Sequence, residues 1–342
     1  MFALAFFIGL TGLAPAEMAD IVAERLRALD KLVLEVTLET FGINGDTPIL
    51  DPDVWGTPIE SYPFVLTILR PYVRVESLKD DAARGYQPLI TYVAPDICVA
   101  QPVHPNQQDG RTMYVLSWNT KRSGVEHLLE VCELRLMGGA DATFDLVALL
   151  RHPATRLVSC VGERCTYAAY LPAEAGAPWD RYFELELNER GTLLRLKTVL
   201  DFNDPKTPCL TQERFTWKTA ELNGAELPID TVITSQWDLT PHYWAAMRVQ
   251  VRRAECKEEL SLADVQLDVH RQNAHVVEYF ADGTSLSTTY DEDGQIISQD
   301  RYDPSNTLAT RGRWRQAIPP LAVTVGLVAV ALLLRFSRPA AR

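Results

Sequence analysis

The chain has 342 residues, with 33 Lys and Arg against 45 Asp and Glu and a formal net charge of −12. That length suits one large domain or two small ones. The acidic balance argues against a nucleic-acid binder, which would present a basic face.

The first element is apolar. Phe2 to Leu10 carries no charge, the run reaches Leu13, and Ala14-Pro15-Ala16 follows as a small-x-small site. This reads as a secretory signal peptide over residues 1–16, with cleavage expected after Ala16. It is short for a bilayer span, which takes roughly 20 apolar residues. No Lys or Arg precedes the apolar core, and a buried N-terminal helix is the alternative.

Met18, Ile21, Val22, Leu26 and Leu29 then recur at helical spacing, with Glu24, Arg25 and Arg27 on the other face. Leu32, Leu34, Val36 and Leu38 alternate as a half-buried strand that ends at Gly42 and Asn44-Gly45. Strands are predicted at 64–69, 72–76, 89–93 and 113–118, with 101–110 a polar loop. Val125, Leu128, Leu129, Cys132 and Leu136 predict a helix stopped by Gly138-Gly139. A second helix carries Phe144, Val147, Leu149 and Leu150 and ends at Pro153.

From there the pattern is a meander. Strands are predicted at 157–160, 166–171, 182–187, 193–200, 214–220, 231–237, 247–252, 265–269, 276–280, 285–289 and 295–299. Asn223-Gly224, Asp282-Gly283 and Asp293-Gly294 supply turns. The fold class is therefore α+β and mainly antiparallel, a sheet curled on itself with a few helices. The last element, residues 317–334, is uncharged and is followed by Arg335, Arg338 and Arg342. This is the pattern of a single transmembrane helix with a basic stop. Arg311, Arg313 and Arg315 flank its entry, so arginine does not set the orientation. The signal peptide does, leaving 335–342 as a cytoplasmic tail and 304–316 as a linker. An Arg-ended terminal span is also the form of a cleavable sorting signal.

Six cysteines in an exported chain allow up to three disulfides in fifteen pairings. Cys160 and Cys165 flank a Gly-Glu-Arg turn and are the candidate hairpin bridge. A zinc half-site is the weaker reading, for want of a second pair at matching spacing. His104, His127, His152, His242, His270 and His275 form no ligand pair on one helix. No Gly-x-Ser-x-Gly, phosphate loop or dinucleotide fingerprint occurs. The reading is a non-enzyme without cofactor. Asp291-Glu-Asp-Gly294 hints at a calcium loop, but it runs straight into a strand and reads better as a hairpin turn.

Three stretches resemble the LolA-like family of periplasmic lipoprotein carriers and their diverged envelope relatives. Residues 23–36 look like its helix-to-first-strand entry. Residues 183–197 resemble its strand pair in the second half. Residues 215–228 resemble its strand, residue-Gly turn and Leu-Pro signature, and Phe280-Ala-Asp-Gly-Thr284 is similar to its Pro-x-Gly-Thr element. The resemblance covers residues 17–303. It implies an unclosed β-barrel whose concave face, lidded by helices, receives acyl chains or a partner. A membrane-spanning tail departs from a diffusing shuttle and points to a tethered binder.

Phe215, Trp217, Trp237, Tyr243 and Trp244 are the candidate ligand-groove residues, since Tyr and Trp offer apolar area with a polar edge. Their plainer reading is sheet core. The expectation is a membrane-tethered extracytoplasmic protein that holds lipid, an acylated protein or a protein partner. An envelope interaction module without a small ligand is the alternative, and a hydrolase assembled only in three dimensions comes third.

Overall fold

A computed structural model of the chain describes residues 13–45, 51–78, 89–94, 97–102, 110–118, 128, 136–137, 143–144, 146–173, 180–201, 209–237, 243–267, 269–280 and 282–303. Helix α1 (Pro15–Ala28) starts at a proline, where the missing N–H costs nothing. The Glu17 carboxylate accepts from the Ala14 N–H at 2.8 Å, and Arg25 and Arg27 complement the helix dipole in the last turn. Met18, Val22 and Leu26 are buried as their spacing predicts, together with Ala19; Arg25, expected on the other face, is buried as well and donates to the Glu226 carbonyl.

Strand β1 (Lys31–Asn44) follows after a tight turn. The first half then gives β2 (Glu60–Leu69), β3 (Tyr72–Ser77), β4 (Leu89–Val93), β5 (Ile97–Pro102) and β6 (Thr112–Trp118). Two short strands, β7 (Leu136–Met137) and β8 (Thr143–Phe144), pair with each other ahead of helix α2 (Leu146–Arg151). The second half is a meander: β9 (Arg156–Val161), β10 (Arg164–Leu171), β11 (Asp180–Asn188), β12 (Leu193–Asp201), β13 (Leu210–Leu222), β14 (Ala225–Trp237) and β15 (Tyr243–Cys256). One-turn helix α3 (Leu262–Val265) precedes β16 (Ala274–Tyr279), β17 (Ser285–Tyr290) and β18 (Ile296–Tyr302).

Apart from β7 and β8, the strands form one 16-stranded sheet in the order β18-β17-β16-β6-β5-β4-β3-β2-β1-β15-β14-β13-β12-β11-β10-β9. Among the described residues no ladder joins β18 to β9, so the sheet is unclosed, and a twisted open sheet of this size curls. Every pairing is antiparallel except β16 with β6. That exception follows from the path after β15. The Lys257 N–H donates to the Lys31 carbonyl, α3 packs on β2 and β3, and Leu267 and Val269 lie against β5, β6 and β16. The chain thus crosses the sheet and returns in the direction of β6.

The sheet has an inner face, which carries α1, and an outer one. On the inner face α1 and α2 pack on Tyr167, Phe183, Leu185 and Leu196. A second inner cluster continues from Leu29 through Leu32, Leu34, Val36, Leu66, Ile68, Val73, Val75 and Val93. The register Leu196–Arg214–Ile233 shows that both clusters share this face. Cys98 belongs to the inner cluster, and its neighbour Val99 packs outward with Tyr114, Leu116, Val276 and Tyr290.

Four local expectations are corrected. Leu136, expected in the helix that Gly138-Gly139 stops, lies in β7, and Phe144, expected in the second helix, lies in β8. Ile97–Pro102 is a strand that the sequence did not announce. Of residues 265–269, expected as a strand, Val265 instead ends α3 and Gln266, Leu267 and Val269 join no strand, because Ser261 opens a helical turn by donating N–H and Oγ–H to the Asp264 carboxylate, both at 2.9 Å. The transmembrane run 317–334, the linker 304–316 and the tail 335–342 lie outside the described residues, as do residues 1–12 of the expected signal peptide and most of the helix predicted around Leu128.

Gly191 closes the β11–β12 turn with φ +74°, and a Cβ there would lie 3.0 Å from Val22 Cγ2 and 3.1 Å from the Val22 nitrogen. Gly162 has φ +59° with nothing within 4 Å. Gly162→Ala should therefore cost only the left-handed backbone penalty, about 1–2 kcal/mol. Gly191→Ala should cost clearly more, because α1 must shift as well. Denaturation midpoints of the two variants measure the difference.

Candidate functional site

The inner face is apolar along β1 to β4 and turns partly polar where it crosses β12 to β14. Thr198, Gln212 and Ser235 stand side by side in the ladder, and Arg214 occupies the next row. Arg214 is 0% exposed and is among the largest wholly buried side chains, so burial sets an ionic group in the middle of an aliphatic surface. Arg181 is buried on the same face, two residues from Phe183. Under the start of α1, Tyr167 is 0% exposed, and its hydroxyl donates to the Leu13 carbonyl at 3.0 Å. Burial, then the nearby Glu17 charge, push its pKa up to about 12.

The five predicted groove aromatics are not all on this face. Phe215 alternates with Arg214 and so points outward, where the Arg195 guanidinium lies 5.4 Å from its ring centre. Trp244, 7% exposed, pairs with Ile43 and is out of phase with inward Val249, so it also faces outward. Trp217 sits at a bulge in β13 and is 42% exposed. Trp237 ends β14 opposite Leu210, and Tyr243 begins β15 opposite Asn44. Their side chains lie outside the description.

The outer face around Trp244 is a site of its own kind. Arg248 grips the Asp230 carboxylate through Nε at 3.0 Å and Nη2 at 2.7 Å, and reaches Asp53 through Nη1 at 3.1 Å. The Asp230 carboxylate holds the guanidinium pKa above its usual value. Asp53 belongs to a short turn, Pro52–Val54, that ends at Trp55, whose ring stacks edge-on with Phe41 at 5.2 Å.

Glu226 anchors α1 to the sheet. Its carboxylate accepts from Asn188 Nδ2 at 2.7 Å, Thr192 Oγ1 at 2.7 Å and Thr219 Oγ1 at 2.6 Å. Its carbonyl accepts from Arg25 Nη1 at 2.9 Å. The adjacent turn residue Asn223, at φ 52°, donates to the Ala28 carbonyl at the end of α1. Burial raises the Glu226 pKa, but the donors Thr219, Thr192 and Asn188, with Arg190 nearby, outweigh it and hold the group below its ordinary value. Neither Glu226 nor Arg214 carries a local sequence signal for these positions.

Cys160 and Cys165 form the predicted disulfide and face each other directly across β9 and β10. Cys98 is buried, Cys209 and Cys256 are half-buried, and Cys132 lies outside the described residues. Burial pushes the Cys256 thiol pKa up. His275 places Nδ1 3.1 Å from Thr289 Oγ1 and Nε2 3.3 Å from Ser287 Oγ, across the β16–β17 ladder. Among the described residues, no group of three or more His, Cys, Asp or Glu is placed to hold a metal. The Asp291 carboxylate accepts from the N–H groups of Asp293 and Gln295, and β17 and β18 pair across it, so this is a hairpin turn. Among the described residues no helix is long and apolar enough to cross a membrane.

No family model matches the chain, and no curated protein matches it. Among solved structures it is similar to a LolA superfamily protein from Nitrosomonas europaea, at 11% identity and TM-score 0.43, over 75% of this chain and 99% of that one. It is also similar to a DUF1329 family protein from Desulfovibrio piger, at 9% identity and TM-score 0.37, over 74% of this chain and 98% of that one.

Two predictions follow from the polar junctions. Arg248→Met leaves the Asp230 carboxylate, with 5% of its side chain exposed, without its ion-pair partner and with the Gln250 Nε2 donor at 3.5 Å, and should cost about 3 kcal/mol. Asp53→Asn, at a side chain 66% exposed, should cost under about 1 kcal/mol. For Glu226, the lowered folded-state pKa means that its stabilisation is present above the unfolded value, about 4.3, and is lost as pH falls through the folded value. Glu226→Gln should therefore destabilise by about 1–2 kcal/mol at neutral pH, and the gap from wild type should narrow as pH drops below about 4. Urea titrations at several pH values would read this out.

Proposed function

We propose that this chain is an extracytoplasmic binding protein, held at the membrane by residues 317–334, that takes the acyl part of a lipid or of an acylated protein onto the inner face of its open sheet. One observation carries the binding reading. The inner face carries a continuous aliphatic cluster, Leu34, Val36, Leu66, Ile68, Val73, Val75 and Val93, which the rest of the fold now covers to 2% exposure or less, on a sheet whose edges do not meet. That cluster is already out of water, so an acyl chain would take the place of its present cover and keep roughly 25 cal/mol for each Å² that stays buried, and an open sheet leaves room for such an exchange where a closed, filled barrel does not. On this reading the ligand face is the inner one, and Phe215 and Trp244, which point outward, take no part in it. The membrane reading rests on the uncharged run 317–334 and the arginines behind it.

A second reading, an envelope interaction module, is favoured by the sheet's edges. Val158 and Val161 on β9 and Ile296 and Ile297 on β18 are exposed, and an edge strand is a template for pairing with another chain.

The test is native mass spectrometry of the full chain, extracted from membranes in mild detergent, together with titration of a fluorescent fatty acid. A bound acyl species and saturable probe binding are expected. Ile68→Trp, which fills the inner face, should weaken probe binding about tenfold, or about 1.4 kcal/mol. A folded protein with no adduct and no probe binding would move the assignment to the interaction module.

A further inference from the structure

The expected cleavage point after Ala16 meets a difficulty in the fold. Residues 13–16 are part of it. The Met18 N–H donates to the Ala14 carbonyl at 3.0 Å, the first hydrogen bond of α1. The Ala14 N–H is held by the Glu17 carboxylate at 2.8 Å. Leu13 packs against the cluster of Met18, Val22, Leu146 and Tyr167, and its carbonyl accepts the hydroxyl of Tyr167, a side chain 0% exposed.

Removing residues 1–16 would undo all of this together. The Tyr167 hydroxyl would lose its acceptor inside the protein, where a buried polar group without a partner is costly. Met18, wholly buried, would become the second residue of the chain. A new ammonium on Glu17 would stand at the positive end of the helix dipole, where cations are disfavoured. Small residues with a central proline have a second explanation here, since proline is favoured in the first turn of a helix.

We propose that Leu13–Ala16 remain in the mature protein as the opening of α1, so that any processing of the chain falls ahead of Leu13. The triplet Ala14-Pro15-Ala16 is a helix start, and the apolar run before it is either cut upstream or kept. The inference stands whether or not the inner face binds lipid.

The experiment is to express the full chain with a C-terminal tag in an exporting bacterial host and determine the N-terminus of the purified protein by intact mass and terminal peptide sequencing. A chain starting at Leu13 or earlier, the unprocessed chain included, is the expected result. A chain starting at any later residue overturns the proposal. Amide hydrogen exchange on the same sample is a second readout. The Met18 amide should exchange at least about tenfold more slowly than in an unfolded chain, because it is bonded within the helix. Exchange at the unfolded rate would overturn the helical role of Ala14 even if the N-terminus lies upstream.

Discussion

The structure depends on the pairing of β1 along both its edges. The first-half strands reach the sheet through β2, and the second-half meander reaches it through β15, so β1 is the seam between them. The constraint is one of register. A slip of one residue would turn Leu32, Leu34 and Val36 from the inner cluster to the outer face. The chain fixes that register at the start of the strand. Asp30 accepts the Arg70 N–H on its carbonyl, and its carboxylate forms an ion pair with Arg70, 3.4 Å from Nε, while Lys31 takes the Lys257 N–H on its carbonyl. Both neighbours of β1 are thus pinned at the turn that joins it to α1. A bulge at Glu35–Val36 then shifts the β15 ladder by one residue while leaving the β2 ladder intact.

Helix α1 extends that seam into three dimensions. Its first turns bury Met18 and Val22 with α2 and the second-half strands, and its end delivers Leu29 to the cluster over β1 to β4. Position along the helix is set by polar contacts from different strands: Glu226 on Arg25, Asn223 on Ala28, and Gly191 leaving room at Val22. The outer face is organised differently. There Arg195 lies near Glu184 and Glu213, Lys197 near Glu213, and Arg248 against Asp230. Apolar burial holds the inner side of the sheet, whereas the outer side combines the apolar cluster around Val99, Tyr114 and Val276 with matched charges and a few aromatics.

Much of this was legible in the sequence where a local rule applied. α1 followed from apolar spacing, and the meander from alternation with Asn-Gly and Asp-Gly turns. What escaped had no local signature. Strand β5 shows no period-2 pattern because it is covered on both faces, Cys98 by the inner cluster and Val99 by the outer one. The parallel pairing of β16 with β6 joins segments some 160 residues apart, as the contact of Trp118 with Glu278 shows. The aromatic group from Phe215 to Trp244 looked like one surface because its members are close in sequence. Strand parity and the β13 bulge decide which way each points, and neither can be read from composition. Arg214 and Glu226 looked like ordinary strand and turn charges, since burial of an ionic group leaves no mark in the sequence.

An unclosed sheet must also manage its two ends, and this chain treats them unequally. Strand β9 is clipped to β10 by the Cys160–Cys165 bridge, which lies directly across the ladder beside the turn. Strand β18 carries no covalent clip among the described residues, but Asp300 and Arg301 place charge on it, a means of discouraging unwanted pairing. On the two proposed readings the edges and the inner face would bind differently: by backbone pairing at β9 or β18, and by apolar burial on the inner face. An edge partner would leave the inner clusters untouched. An acyl chain could enter only by displacing part of what now covers Leu34, Ile68 or Val75; Leu29, at the end of α1, belongs to that cover, and α1 is tied to the sheet by Arg25, Asn223 and Tyr167. A ligand that works through the inner face should loosen those ties, and a partner that works through the edges should not.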